Sequence, residues 1–233
     1  MKVYAISDLH LSINNPKPMD IFGPVWDNYL GQIEKDWNKK VSDEDVVLIS
    51  GDISWAMKWN DAKADLDYIS KLKGKKVIIK GNHDYWWNSI SEIRKFLSEK
   101  NQMFAIQNDA IKFGDVIICG SRGWSIPEGK FETEQDEKIY RRELIRMELS
   151  LKSANVLRQG DEKIVVMTHF PPFNNKIEKN NLSELFEKYN VDSVVYGHLH
   201  NFDKGQKMKF TKNKIKYYLT SCDLVGNKLT KIL

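Results

Sequence analysis

Short apolar runs rich in Val and Ile recur along the chain, and a polar turn follows each of them. The runs are nearly continuous in hydrophobicity, a pattern typical of strands that are covered on both faces. They predict strands over residues 3–7, 46–50, 77–80, 116–120, 164–168 and 194–196. After residue 205, two stretches of alternating apolar and polar residues, 206–210 and 215–220, predict a hairpin with its turn at 211–214.

Between the runs, apolar residues recur at steps of three and four, which places them on one face of a helix. Five such faces are predicted: Trp26, Leu30, Ile33 and Trp37; Ala62, Leu66, Ile69 and Leu72; Ile90, Ile93 and Leu97; Tyr140, Leu144, Met147 and Leu151; and Leu182, Leu185, Phe186 and Tyr189. Strands that alternate with helices predict a layered α/β fold, and the terminal hairpin argues against an all-parallel sheet. Because no repeat or long linker separates two halves, we expect a single domain over residues 1–233.

The composition is that of an ordinary globular protein. With 233 residues, 41% of them hydrophobic and 29% charged, the chain can bury a substantial core and is neither disordered nor fibrous. No long apolar run occurs, so no membrane-spanning helix is expected. The N-terminus lacks the pattern of a signal peptide, and Cys119 and Cys222 stand singly. Both features favour a cytoplasmic protein with reduced thiols.

The net charge of +4 comes from one end of the chain. Residues 201–233 hold eight lysines against Asp203 and Asp223, a local charge of +6, so the preceding residues together carry −2. Lysines that alternate along a hairpin discourage pairing at the edge of a sheet. A nucleic-acid interface would instead show a basic face with interleaved aromatic residues. The composition therefore allows a nucleic-acid partner but does not favour one.

All five histidines lie in short turn motifs, and none lies on a predicted helix face. Together with one motif that lacks His, these are Asp8-Leu9-His10, Gly51-Asp52, Gly81-Asn82-His83-Asp84, Thr168-His169 and Gly197-His198-Leu199-His200. Each follows a predicted strand, and ligands of α/β proteins bind beyond the carboxyl ends of strands. Imidazole and carboxylate groups without thiolates suit Mn²⁺, Fe²⁺/³⁺ or Zn²⁺ better than Ca²⁺. The sequence therefore predicts a transition-metal site.

The order of these motifs resembles that of the calcineurin-like metallophosphoesterases. Asp-x-His, Gly-Asp, Gly-Asn-His-Asp, His and Gly-His-x-His follow one another from Asp8 to His200. The resemblance implies an α/β fold in which two mixed β-sheets pack as a sandwich flanked by helices, in four layers α/β/β/α. It also implies two metal ions at the strand ends, divalent or of mixed valence, with Mn, Fe and Zn as the candidates.

The resemblance further implies roles for individual residues. It assigns seven metal ligands: Asp8, His10 and His200 for the first ion, Asn82, His169 and His198 for the second, and Asp52 as the bridge. His83 would face the phosphoryl group of the substrate, with Asp84 orienting its ring. The second motif departs from the extended form Gly-Asp-x-x-Asp, because Trp55 stands where the second acid would be. Trp55 and Trp59 either form a wall of the site or fill the core, and we expect a core position.

The implied activity is metal-dependent hydrolysis of a phosphoester. Two adjacent cations lower the pKa of a water that bridges them, and the resulting hydroxide attacks phosphorus directly. A small-molecule phosphodiester is slightly preferred over a monoester as the substrate. The alternatives are a nuclease, which only the lysine-rich end favours, and a non-catalytic binding scaffold of the same fold. The sequence does not indicate an oligomeric state.

Two residues that follow the strand at 116–120 are candidates for substrate binding. Arg122 carries a planar guanidinium that can clamp a phosphate through two hydrogen bonds, and Trp124 offers a ring on which an aromatic leaving group can stack. Three further arginines near Glu143 on a predicted helix are explained by solvated ion pairs: Arg141, Arg142 and Arg146. Residues 14–24, rich in Pro, Asn and Gly, form either a rim loop over the site or a plain connector.

Overall fold

The computed structural model describes residues 1–100, 102–200 and 207–233. The chain divides into two units. The first comprises Met1–Ala105 and Thr220–Leu233, and the second comprises Ile106–Leu219. The expected single domain over residues 1–233 stays a prediction.

Strands and helices alternate along most of the described chain. The strands are β1 (Val3–Ile6), β2 (Val46–Ile49), β3 (Lys75–Ile78), β4 (Met103–Ala105), β5 (Ala110–Phe113), β6 (Val116–Gly120), β7 (Lys163–Met167), β8 (Ser193–Tyr196), β9 (Lys209–Lys212), β10 (Ile215–Leu219) and β11 (Thr230–Lys231). The α-helices are α1 (Tyr29–Lys40), α2 (Trp59–Ser70), α3 (Ile90–Leu97), α4 (Glu134–Leu157) and α5 (Asn181–Lys188). Two short 3₁₀ helices, Met19–Phe22 and Pro24–Trp26, precede α1.

The first unit is built on a mixed sheet with the strand order β11-β1-β2-β3-β4. Strands β1 to β4 run parallel, whereas β11 pairs antiparallel with β1. Every residue of β1 and β2 is buried, and burial of both faces explains their continuous apolar sequence. Ile33 and Trp37 of α1 and Leu66 and Ile69 of α2 belong to the same hydrophobic cluster as Ile6 of β1.

The second unit is built on a mixed sheet with the strand order β5-β6-β7-β8-β10-β9. Strands β6, β7, β8 and β10 run parallel, and the edge strands β5 and β9 are antiparallel to their neighbours. Helix α4 packs against β5 and β6. Side chains cap both helices of the unit: Thr133 accepts a hydrogen bond from the Asp136 N–H at the start of α4, and Asn180 forms a capping box with Ser183 at the start of α5.

The structure confirms the predicted α/β class and the two mixed sheets. Each of the six predicted strands is present with its ends shifted by no more than two residues, and each of the five predicted apolar faces coincides with a helix. Three residues of these faces lie outside the α-helices: Trp26, which belongs to the preceding 3₁₀ helix, and Leu72 and Tyr189, which follow α2 and α5. The hairpin is also present, as β9 and β10, but its first strand extends to Lys212, so the turn comprises residues 213–214 and not 211–214. Gln206, at the start of the predicted first strand, lies outside the described residues. Strands β4, β5 and β11 were not predicted, because they are short and lack a run of Val and Ile.

None of the helices in the described ranges has both the length and the apolar character that a bilayer-spanning segment needs.

Candidate metal-binding residues at the strand ends

In the first unit, the predicted ligands lie beyond the carboxyl ends of three adjacent parallel strands. Strands β1, β2 and β3 are neighbours in the sheet. The loops that follow them carry, in order, Asp8 and His10, Asp52, and Asn82 with His83. Because parallel strands end at the same edge of a sheet, the fold brings these three loops together.

The loops after β1 and β2 are joined by backbone hydrogen bonds and adopt an uncommon conformation. The Asp8 N–H donates to the Gly51 carbonyl and the His10 N–H donates to the Asp52 carbonyl, both at 3.0 Å. The φ angles of Asp8, His10 and Asp52 are 57°, 47° and 49°, all in the left-handed region. Such angles cost about 1 kcal/mol or more at a residue with a side chain, and they concentrate at functional sites where surrounding contacts maintain them.

The loop after β3 approaches Asp52 so closely that it requires a glycine. An added Cβ at Gly81 would lie 2.2 Å from the backbone nitrogen of Asp52 and 2.2 Å from its Oδ1. The N–H of His83 donates to the same Oδ1 at 2.8 Å. Asn82, between them, is half-buried. The absence of a side chain at Gly81 thus allows the His83 backbone to reach Asp52.

The donor atoms of this unit fit a metal ion. Asp8, His10 and Asp52 are buried, and His10 Nε2 lies 3.8 Å from Asp52 Oδ2. A carboxylate oxygen of Asp8 lies within 4.8 Å of one of Asp52. Two buried carboxylates at this distance lose hydration and repel each other, so a cation between them is stabilising. Carboxylate oxygens with an imidazole nitrogen are donors that Mn²⁺, Fe²⁺ and Zn²⁺ accept.

Aromatic rings surround His83 within this unit. Its ring centroid lies 4.9 Å from that of Trp55, 5.8 Å from that of His10 and 6.2 Å from that of Tyr85. His83 is half-buried, and Tyr85 is exposed. The half-buried ring is suited to contact a bound molecule, although its proposed role toward a phosphoryl group stays a prediction.

The buried carboxylate of Asp84 holds the His83 loop in place. It accepts four hydrogen bonds, from the backbone N–H groups of Ile53 (2.9 Å), Ser54 (3.2 Å) and Gly81 (2.7 Å) and from the indole N–H of Trp86 (3.0 Å). Burial raises the pKa of the Asp84 carboxyl, and these donors oppose the rise. The contacts position the backbone of the loop, and an orienting contact with the His83 ring stays a prediction.

Trp55 contacts the candidate site as well as the core. Its ring stacks on that of His10, with centroids 4.4 Å apart and planes at 22°. It is half-buried and also packs against the hydrophobic cluster of the first unit. Trp59 is different, because it stacks on Trp86 at 5.9 Å and contacts Phe96. The expectation of a core position therefore describes Trp59 better than Trp55.

In the second unit, the ends of the adjacent parallel strands β6, β7 and β8 lead to Arg122, His169 and His198. His169 is buried, and its Nε2 lies 3.3 Å from Nδ1 of the half-buried His198. Two imidazole nitrogens bound to one ion at about 2.1 Å, with tetrahedral or octahedral angles, are about 3.0–3.4 Å apart. The pair therefore fits ligation of one metal ion. His200, two residues further, is half-buried.

The family model for calcineurin-like phosphoesterases matches residues 1–202. The chain belongs to this family. Membership supports hydrolysis of phosphoesters as its activity and the use of divalent metal ions, consistent with the donor atoms found in each unit.

Individual relatives and solved structures agree with this assignment. A probable cyclic nucleotide phosphodiesterase of Coxiella burnetii is 25% identical over 221 residues, which cover 86% of this chain and 76% of the relative. The phosphopantetheinyl hydrolase of Mycobacterium tuberculosis matches with a TM-score of 0.58 and 14% identity, covering 100% of this chain and 95% of that one. The protein TT1561 of Thermus thermophilus matches with a TM-score of 0.61 and 15% identity, covering 99% and 97%. At these identities the solved structures show the fold alone.

The two substrate-binding candidates of this family member contact other residues of the second unit. The Arg122 guanidinium lies 4.9 Å from the Trp124 ring centroid and 4.0 Å from Glu143 Oε1. The Trp124 indole N–H donates to Asp136 Oδ1 at 3.2 Å. The backbone carbonyl of Arg122 accepts from the His169 N–H at 2.9 Å. Arg122 thus holds the His169 loop through its backbone, and a substrate contact for either side chain stays a prediction.

The sequence analysis missed the burial of two acids that lie on helix faces. Asp65 lies among the apolar residues of the α2 face and is 2% exposed, and Glu143 lies among those of the α4 face and is 3% exposed. Glu143 accepts a hydrogen bond from Arg146 at 2.6 Å, so this ion pair is less solvated than expected. A charged residue within the apolar stripe of a helix is the signal that could have identified both.

Proposed function

We propose that this chain hydrolyses phosphoesters with two metal ions, and that small-molecule phosphodiesters are better substrates than monoesters. The proposed ligands are Asp8, His10 and His200 for one ion, Asn82, His169 and His198 for the other, and Asp52 as the bridge. Manganese, iron and zinc are the metals that this donor set favours. The observation that carries the proposal is the first-unit cluster, in which buried carboxylates, an imidazole and the His83 loop meet at Asp52.

The protein's own residues have separate tasks in the proposed reaction. Bound at these ligands, two cations would lower the pKa of water and neutralise charge on the phosphoryl group. His83, whose backbone is held by Asp52, is proposed to face the phosphoryl oxygens and to protonate the leaving oxygen. Because no Ser or Cys nucleophile takes part, water attacks phosphorus directly and inverts its configuration. Retention in a chiral-phosphate experiment would contradict this mechanism.

Two observations support the preference for a diester. The Coxiella burnetii relative, a probable cyclic nucleotide phosphodiesterase by name, aligns with most of this chain. In the second unit, the Arg122 guanidinium and the Trp124 ring lie next to each other. We propose that the guanidinium binds a phosphate oxygen and that the ring stacks on an aromatic part of the substrate.

The test begins by removing metals with a chelator and restoring Mn²⁺. Hydrolysis of bis(para-nitrophenyl) phosphate is then compared with that of para-nitrophenyl phosphate. Diester hydrolysis should return with Mn²⁺ and should fall at least about 100-fold in Asp52→Asn. The matched control is Asp43→Asn, which makes the same change of charge at an exposed position of the first unit and should keep full activity.

Three other outcomes would each point to a different function for this chain. A preference for the monoester would make the chain a phosphatase. Inactivity together with an absence of bound metal would favour the non-catalytic scaffold. Binding of DNA or RNA with a steep dependence on salt would favour the nuclease.

A further inference from the structure

The C-terminal segment of residues 220–222 runs beside the first candidate ligand, Asp8. Both belong to the first unit, and the middle residue of the segment, Ser221, forms a parallel β-bridge with Ser7. The segment lies beyond residues 1–202, which the family model matches. None of the ligand motifs includes it, so its contacts with Asp8 are a feature that the motifs do not describe.

Backbone hydrogen bonds hold Ser7 against this segment. The Ser7 N–H donates to the Thr220 carbonyl at 2.8 Å, and the Ser7 carbonyl accepts the Cys222 N–H at 3.0 Å. The Cys222 thiol also donates to the Asp8 carbonyl at 3.0 Å. None of these bonds involves the side chain of Ser7 or of Thr220, so all of them remain available when either side chain is replaced.

Two hydroxyl groups extend these contacts to the carboxylate of Asp8. Ser7 Oγ donates to Asp8 Oδ2 at 2.6 Å, and Thr220 Oγ1 donates to Ser7 Oγ at 3.2 Å. A hydroxyl carries a single proton, so Ser7, which gives its proton to the carboxylate, can only accept from Thr220. The hydroxyl chain therefore runs in one direction, from Thr220 through Ser7 to Asp8.

Burial makes this hydroxyl chain important for the carboxylate. Ser7, Asp8 and Thr220 are fully buried. A buried carboxylate needs hydrogen-bond donors, and a donor on one of its oxygens also restricts its rotation. Groups that orient a metal ligand in this way raise its affinity for the ion, and their loss typically costs about 10–100-fold in affinity or activity.

We propose that Ser7 and Thr220 are positioning residues, whose hydroxyl groups hold the Asp8 carboxylate in the orientation that binds metal. The inference rests on the proposed function, in which Asp8 is a ligand of the first ion. It extends the site to a residue 213 positions from Ser7 along the chain. Thr220 acts through Ser7 and by the longer hydrogen bond, so its effect should be the smaller of the two.

The test measures Mn²⁺ affinity by calorimetric titration of the metal-free protein. Ser7→Ala removes the donor to Asp8 and should weaken one of the two binding steps about 10–100-fold. The matched control is Ser221→Ala, the same change at another buried position, where the hydroxyl has no hydrogen-bond partner among the described residues. It should leave both steps unchanged. Equal weakening in the two variants overturns the proposal.

Thr220 offers two variants that separate its hydroxyl from its shape. Thr220→Val keeps the shape without the hydroxyl and should weaken the same binding step about threefold to tenfold. Thr220→Ser keeps the hydroxyl and should retain the affinity of the unaltered protein. The opposite result, a loss in Thr220→Ser and none in Thr220→Val, would assign the effect to packing and overturn the role of the hydroxyl. Urea unfolding confirms that each metal-free variant is folded.

A double variant tests whether Thr220 acts through Ser7. Adding Thr220→Val to Ser7→Ala should weaken Mn²⁺ binding no further than Ser7→Ala alone does, because the acceptor of the Thr220 hydroxyl is already absent. Additive losses from the two substitutions would show that the two hydroxyls act independently, and the chain from Thr220 to Asp8 would be wrong.

Asp8→Asn separates this inference from the proposed function. Weaker Mn²⁺ binding in Asp8→Asn, with smaller losses in Ser7→Ala and Thr220→Val, supports both proposals. Weaker binding in Asp8→Asn with normal binding in the two hydroxyl variants overturns the positioning roles and leaves the proposed function in place. Binding of two ions by Asp8→Asn, as tightly as by the unaltered protein, shows that Asp8 is not a ligand and overturns both.

Discussion

The two units present their proposed metal ligands in different ways. The first unit holds Asp8, His10 and Asp52 in left-handed backbone, joined by hydrogen bonds between loops and closed by a glycine contact. In the second unit, His169 and His198 follow their strands almost directly, and a single left-handed residue, His198, occurs in that pair. Left-handed backbone occurs at carboxylate candidates (Asp8 and Asp52) and at imidazole candidates (His10 and His198) alike, so the type of ligand does not decide it. The first unit is distinguished by the hydrogen bonds between its loops and by the close contact at Gly81, which compensate for burying two carboxylates.

The largest expected effect comes from breaking the close contact in the first unit. In Gly81→Ala, the new Cβ would lie 2.2 Å from Asp52, so the loops must separate and the cluster of donors is lost. We expect loss of bound metal, loss of detectable hydrolysis and a fall of about 1–3 kcal/mol in the free energy of unfolding. Metal analysis and urea unfolding measure the two effects.

The matched control for this change is Gly160→Ala in the second unit. The Cβ added at position 160 would lie 3.8 Å from its nearest neighbour, Glu162 Oε2, which is an ordinary van der Waals contact. Metal content and activity should stay at the level of the unaltered protein. Full activity in Gly81→Ala would show that the first-unit loops do not need their close approach.

A second experiment removes an imidazole of the second unit. His198→Ala should weaken binding of one ion at least about 100-fold and leave the other bound, because the first-unit donors remain in place. Metal stoichiometry should fall from two to one, whereas Asp52→Asn should reduce the occupancy of both ions. Retention of two ions in His198→Ala would contradict the proposed ligand set.

A third experiment concerns the first unit alone, where the cation Lys76 on β3 is buried. Its ammonium donates to the carbonyls of Ser70 (3.1 Å) and Leu72 (2.6 Å) near the end of α2, and burial lowers its pKa to about 8. Because the unfolded lysine has a pKa near 10.5, the unfolded chain binds more protons between about pH 8 and pH 10.5. The free energy of unfolding should therefore rise with pH in this window, by roughly 2 kcal/mol from this group.

Urea unfolding across this pH window, with Lys76→Met as the comparison, measures the contribution. Other lysines and the tyrosines titrate in both proteins, so the difference between the two curves isolates Lys76. The difference should grow with pH in favour of the unaltered protein. Parallel curves would show that the Lys76 pKa is not lowered by folding.

The smallest expected effect concerns Arg122. In Arg122→Lys, the backbone carbonyl still accepts from the His169 N–H, so the proposed ligand His169 stays in place. The substituted ammonium cannot form two parallel hydrogen bonds to a phosphate, and we expect KM to rise about threefold to tenfold with little change in kcat. Steady-state kinetics on the diester measure this split. The control is Arg141→Lys, on the exposed side of α4.

Much of the fold could be predicted because local patterns determined it. Strands β1 and β2 are buried on both faces, so their sequences are continuously apolar, and each ligand motif follows its strand directly. The short strands β4, β5 and β11 have no such pattern, since pairing with a neighbouring strand stabilises them more than their own composition does.

The surroundings of the site were predicted less well. Asp65 was not recognised as a buried residue, because charged side chains on helices are usually solvated, and only the hydrogen bonds from Ile13 and Ser54 explain its burial. Trp55 was expected in the core rather than in the wall of the site. Its contact with His10 depends on how the loops after β1 and β2 meet, which no spacing in the sequence specifies.

The sequence by itself determined the order of the Val- and Ile-rich strands and of the helices, the residue types that can bind metal, and their positions directly after buried strands. These features depend on neighbours within a few positions, so periodicity and motif spacing reveal them. Only the tertiary structure decided which backbone angles become left-handed, which glycine must lack a side chain, and which acids are buried. Those features depend on contacts between residues distant in the chain, such as Gly81 with Asp52 and Asp65 with Ile13.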